Sequence, residues 1–301
     1  MEKLSKVSAM QVPVIRSFSM VRIMKWLMVL ALGLTLGACS MVRLGYSQLP
    51  EMSQWWMDSY LDLDSAQSSA LQADLSALHT WHRQQEMVWL TQTLTQLEAR
   101  ALQDTTAAAL CQTTEAVRRR LDVLAGQSVP MFTRLAISLK PSQLEHLQRQ
   151  LAKRRADWQD EWGGAEASKR RADRLIDRTE QFYGRLDAGQ KALLRASLAA
   201  DPPDEQQLAN DMRTRHQDIE QTARKLAGSQ VNSSEAATEV RGLLDRLKRP
   251  SDASRSAQRQ QAQCKLFADL HNSATAAQRQ KLAGTLKAYA SDAQAMTLSQ
   301  S

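Results

Sequence analysis

His79, His82 and Glu86 fall three and four residues apart in a run of helix-forming sequence. On a helix that spacing stacks all three on neighbouring turns, and imidazole with carboxylate is a donor set that suits zinc and other transition metals. The stretch lacks a His-Glu-x-x-His arrangement, and no further ligand is identifiable. The imidazoles are therefore read as donors to a buried carbonyl or carboxylate, with no metal and no cofactor assigned. Around them lies the densest mixture of aromatic and polar groups in the chain: Trp55, Trp56, Asp58, Tyr60, Asp62, Trp81, His82 and Arg83. These form the candidate binding surface. The tryptophans, with Trp89 and the pair Trp158 and Trp162, either line a groove or pack at a core edge. Asp58, Asp62 and Asp64 read as helix N-terminal acids, with Asp62 alternatively pairing with His82 or Arg83 to lock the N-terminal segment down.

The elements that must hold these residues read as helices throughout. Gly (11), Pro (7) and aromatics (5%) are sparse, straight-chain helix formers abound, and no β-branched alternation reaches strand length. Leu71, Leu75, Leu78, His82, Gln85 and Trp89 make one inward stripe. Gly126 to Pro130, Gly163-Gly164, Asp201 to Asp204, Gly228 to Ser234 and Arg249 to Ser251 read as breaks. Asp204 with Gln207 and Asp187 with Gln190 have capping-box spacing. Four segments repeat a glutamine followed by leucines at four and eight: Gln67, Leu71, Leu75; Gln143, Leu147, Leu151; Gln190, Leu194, Leu198; Gln278, Leu282, Leu286. Three residues before each glutamine stand Asp64, Lys140, Asp187 and Thr275, so the repeat marks a helix start with a buried stripe. The expected fold is all-α, an elongated bundle of antiparallel helical hairpins. No phosphate-binding Gly-rich loop, nucleophile elbow or dinucleotide fingerprint is found, so an enzyme is not expected.

The third chemistry lies at the N-terminus. Arg22 and Lys25 precede an eleven-residue apolar core, Trp26 to Leu36, which is too short to span a bilayer. It closes on Leu36-Gly37-Ala38-Cys39, which resembles the lipobox of bacterial lipoproteins. The resemblance implies cleavage before Cys39, acylation of its thiol and a place on the periplasmic face of the envelope. Ser40, where the sorting pattern uses aspartate for inner-membrane retention, implies the outer membrane. Met1 to Ser19 read as a misassigned start, with Met20 the plausible one and Met1 and Met24 left as alternatives. The expected organisation is a removed segment 1–38, a lipidated tether 39–53, a helical domain 54–290 and a flexible tail 291–301. Residues 1–38 hold five basic residues (Lys3, Lys6, Arg16, Arg22, Lys25) and one acid (Glu2), so a formal charge of +7 falls to +3 on processing. A surface of that kind does not suit nucleic acid. The basic runs Arg118 to Arg120, Lys153 to Arg155 and Lys169 to Arg171 fit exposed helix faces. In an oxidising compartment Cys111 and Cys264 pair in one disulfide, or else remain two buried thiols.

Two further resemblances concern the domain itself. Leu63-Asp64-Ser65-Ala66-Gln67 and its three counterparts resemble the L-T-x-x-Q motif of the periplasmic proteins Spy and CpxP, though only Thr275 supplies the threonine. Leu44-Gly45-Tyr46, Leu49-Pro50, Trp55-Trp56, Asp58 to Leu63, Trp81-His82-Arg83 and the later Gly184 to Gln190 look like an uncharacterised family of bacterial lipoproteins known only as a domain of unknown function. That family implies no activity. The expected function is a non-enzymatic outer-membrane lipoprotein that binds envelope or periplasmic proteins, chaperone-like. The alternative is a scaffold subunit of one envelope complex, and a metal-binding protein or enzyme ranks third.

Overall fold

A computed structural model describes residues 41–162, 166–228 and 232–298. Cys39, Ser40, the leader and Gly163-Gly164 lie outside them, as does the side chain of Trp162. The described residues form helices and turns, with no strand. The fold is an all-α bundle. Residues 41–47 are helical and run through a turn at Gln48 into α1 (Leu49–Leu61). There follow α2 (Ser65–Arg100), α3 (Ala107–Ser138), α4 (Pro141–Trp162), α5 (Ala167–Tyr183), α6 (Ala188–Ala200), α7 (Glu205–Leu226), α8 (Ser233–Lys248), α9 (Ala253–Asn272) and α10 (Ala276–Leu298).

The spine is α2, whose 36 residues span about 54 Å at 1.5 Å per residue. α3 returns along it antiparallel, pairing Ser138 with Gln67, Arg134 with Asp74 and Arg120 with Glu86. α1 and α10 follow one another along the spine. Gln54 bonds to the Ser68 carbonyl, Tyr46 meets His79 and His82, and Ala293 and Met296 pack on Met87. α8 and α9 run antiparallel to α3, joined by Lys248 to Asp122, by Arg118 to Gln260 and by the Cys111–Cys264 disulfide, whose Cα atoms are 5.5 Å apart. α4 pairs with α7 through Gln148 to Arg224 and Arg155 to His216.

Helix starts are capped where the sequence places a short polar side chain. Asp64, Thr106, Asp187, Asp204, Asn232 and Asp252 each accept the backbone N–H three residues on, a bond worth about 1 kcal/mol per helix. Asp64 and Asp187 complete the reciprocal box with Gln67 and Gln190. At Asp204 the box is half-made, because the Gln207 amide turns to Asp211 and Ser251 instead.

The four glutamines of the repeat close two copies of one joint. Gln67 and Gln143 exchange amide hydrogen bonds at 3.1 and 2.7 Å, and Gln190 and Gln278 do so at 2.9 and 2.8 Å. Each amide oxygen also accepts the backbone N–H three residues earlier, at Asp64, Lys140, Asp187 and Thr275. Each Nε2 donates to a carbonyl across the joint: Gln67 to Ser138, Gln143 to Asp62, Gln190 to Ser273 and Gln278 to Arg185. All four side chains are buried. Crossing helix starts therefore satisfy one another's free groups, which is what a buried polar atom requires. The leucines behind them fill separate cores: Leu71, Leu75, Leu147 and Leu151 at the first joint, Leu194 with Leu266 and Leu270 at the second.

Several sequence expectations need correction. The stretch 39–53, read as a tether, is helical from Met41 onward and packs on α2. The tail read as flexible from 291 is helical to Leu298, with Asp292, Ala293 and Met296 buried. Small residues gave no apolar period there, but they let α10 lie close on α2. Gly126 to Pro130 does not break α3, because Val129, Met131 and Leu135 are buried around the proline and hold the helix. Asp58 and Asp62 belong to the C-terminal end of α1, not to a helix start: Asp58 accepts the Leu63 N–H at 2.8 Å and Asp62 is left-handed at φ 50°. Gln85 is exposed, and the stripe passes to buried Glu86 and Met87 as the 3.6-residue period drifts and the packing partner changes.

Candidate functional site

His79 and His82 do face one side of α2, but they converge on Tyr46. The Tyr46 hydroxyl donates to His82 Nδ1 at 3.0 Å, and His79 Nε2–H donates to the Tyr46 carbonyl at 3.1 Å. Burial pushes the Tyr46 phenol up to about 12, so it keeps its proton, and burial lowers both histidines below the usual imidazole value, so they stay neutral. Glu86 faces away from them toward α3. Its carboxylate takes both arms of Arg120, Nε at 2.7 Å and Nη2 on the second oxygen, with the Arg120 guanidinium 5.8 Å from the Trp89 ring. Of the three side chains considered for a metal, the two histidines are thus turned onto Tyr46 and the carboxylate onto Arg120. Among the described residues no three His, Cys, Asp or Glu converge on a cation position.

The eight residues of the candidate surface do not form one patch. Trp55, Trp56, Asp58, Tyr60 and Asp62 lie on or at the end of α1, with the Trp56 and Tyr60 rings 4.9 Å apart. Trp81, His82 and Arg83 lie farther along α2, beside Tyr46. Since Gln54 is level with Ser68, the Trp55 region and Trp81 are about 20 Å apart along the spine, 13 residues at 1.5 Å each. That distance also rules out pairing of Asp62 with His82 or Arg83. The N-terminal segment is locked to the domain nonetheless, by Tyr46 and by an Arg43–Asp292 ion pair at 3.2 Å. Trp55 is 72% exposed and Trp56 57%, so neither is a core residue. Trp81 and Trp89 are half-buried.

A concavity lies elsewhere, where α4, α5, α7 and α8 meet. It encloses about 650 Å³ and is lined by Trp158, Leu208, Met212, Ile219 and Leu247, with Arg171, Arg215, Asp211 and His216 completing the wall. His216 Nδ1 accepts from Arg155 at 3.2 Å, and burial, reinforced by Arg155, lowers its pKa. An imidazole so engaged shapes the wall. Apart from Trp158, sequence reasoning missed this site. The available signal was the four-residue step Leu208 to Met212, with Ile219 two turns on, facing a helix that carries a tryptophan.

A family model described as a family of unknown function, DUF6279, matches residues 59–217. The match covers α2 to α6 whole and most of α7, including the first glutamine joint. No curated protein and no solved structure matches the chain.

Proposed function

The chain belongs to DUF6279, a family whose description carries no activity, and on that premise we propose that it is a non-enzymatic, lipid-anchored helical protein on the periplasmic face of the outer membrane that binds exposed apolar segments of other envelope proteins. The observation that carries the binding reading is the apolar concavity between α4 and α7, open to solvent and edged by arginines. An unfilled apolar hollow with a few polar groups on its wall is a binding feature rather than a packing one. The glutamine repeats lend nothing to this reading, since they are buried joints. The anchor rests on the leader and the Leu36-Gly37-Ala38-Cys39 element. It is compatible with the absence, among the described residues, of any helix long and apolar enough to cross a membrane.

The processed chain should suppress aggregation of a heat-unfolded reporter protein at stoichiometric excess. Leu208→Glu with Met212→Glu should weaken suppression by about fivefold or more, as for loss of an interface anchor of roughly 1 kcal/mol or above, with an unchanged circular dichroism spectrum. No suppression by the unaltered chain, or equal suppression by the variant, would count against this function.

A further inference from the structure

α1 is apolar on both of its sides. Pro50, Met57 and Leu61 are buried, Met57 and Leu61 in the core around Leu71 and Leu75. On the opposite side Leu49, Met52, Trp55 and Trp56 are exposed, and the helical residues before them add Met41 and Leu44, 67% and 57% exposed. At 100° per residue these six fall on one side of a nearly continuous helix, a strip about 24 Å long. Only Gly45, Gln48 and Ser59 interrupt or end it, none of them charged. The three charged residues of 41–61 are all occupied off the strip: Arg43 with Asp292, Glu51 with the Gln72 amide, Asp58 with the Leu63 N–H. A helix apolar all round is normally covered on every side, and a contiguous patch of this kind with two tryptophans marks a contact surface.

The chain itself indicates what covers it. Cys39 stands two residues before Met41, so the backbone from an acylated Cys39 to Met41 spans at most about 7 Å and starts the strip at the headgroup layer. Tryptophan, with an apolar body and a polar N–H, partitions to that layer, as does a helix with one apolar face. We propose that the strip Met41 to Trp56 lies in the interfacial layer of the bilayer, so that the domain rests on the membrane along this edge and does not swing from a leash. This rests on the acylation of Cys39 proposed above. Because Tyr46, Arg43 and the α1 core residues fasten the strip to the body, seating it sets the orientation of the whole bundle.

The test uses the chain from Cys39 onward in phosphatidylethanolamine–phosphatidylglycerol vesicles whose acyl chains are brominated near the headgroup. The emission of Trp55 and Trp56 is taken as the difference between this chain and its Trp55→Ser, Trp56→Ser variant, both substitutions at exposed sites. It should fall about twofold or more on shallow-brominated lipid, as for interfacial side chains. Unquenched emission from vesicle-bound protein would overturn the proposal. So would a dimer in sedimentation that shields both tryptophans from aqueous acrylamide without lipid, which assigns the strip to a second copy. The mass of the N-terminal peptide from cells reports acylation independently. If it is unmodified, the anchor reading fails and the quenching is run with Cys39, the one thiol outside the disulfide, coupled to a maleimide lipid.

Discussion

Replacing Gln143 by leucine removes a side chain whose two polar atoms serve Lys140 N–H, the Asp62 carbonyl and Gln67 together. All are left without an equivalent partner in a buried joint. Gln143→Leu should therefore lower unfolding free energy by about 2–4 kcal/mol, read by urea denaturation, and Gln278→Leu should do the same at the second joint. Gln67→Leu combined with Gln143→Leu should cost less than the sum of the two, because each single change orphans the other amide. A cost under about 1 kcal/mol for Gln143→Leu, the lower bound for an orphaned buried group, would mean that water replaces the glutamine and that the pair is not a structural lock. The cap and stripe of this repeat were readable from residue spacing, since both are local. The pairing of glutamines 76 and 88 residues apart was not, because nothing local distinguishes a glutamine that caps from one that also reaches across to its counterpart.

The docking of residues 41–47 onto α2 depends on neutral imidazoles. His79 and His82 have pKa values lowered by burial, so the folded chain binds fewer protons than the unfolded one below their ordinary value. Stability from this contact is complete above about pH 6.5 and is lost as pH falls toward the depressed folded values. The thermal midpoint should decline between about pH 7 and pH 5, and His79→Gln with His82→Gln should flatten that decline. A residual slope is expected from His216, also lowered by burial. An identical slope in the double variant would show that the histidines are not the titrating contact. Asp64, Glu180 and Asp201 are held below the usual carboxylate range by Lys140, Lys191 and Arg259, so their contribution is lost in a separate, more acidic window. At this level the sequence misled most at the two ends. The stretch 39–53 reads as a tether because its apolar residues fall on both sides of a helix and fit no single stripe. The last two turns of α10 read as a flexible tail because the buried side there includes Ala290 and Ala293, which add little to any hydropathy period.

The two glutamine joints give the molecule two separate leucine cores, and the long helices α2 and α3 run between them. Among the described residues the one covalent tie between early and late sequence is Cys111–Cys264, which closes a loop over a separation of 153 residues. In the chain-entropy account such a loop is worth about 5 kcal/mol, so Cys111→Ala with Cys264→Ala should lower unfolding free energy by an amount up to that size. A loss below about 1 kcal/mol would mean that the non-covalent packing of α9 on α3 already restricts the unfolded chain. The all-α class and this pairing could be anticipated from composition and from the compartment implied by the leader. The concavity could not, because it exists only where four helices from separate parts of the chain leave a gap. The position of the second cysteine also orders events in time. In a chain that emerges from its N-terminus, Cys264 arrives after α1 to α8, so every residue of the first joint is present before the cross-link can form, and packing there has a head start on oxidation.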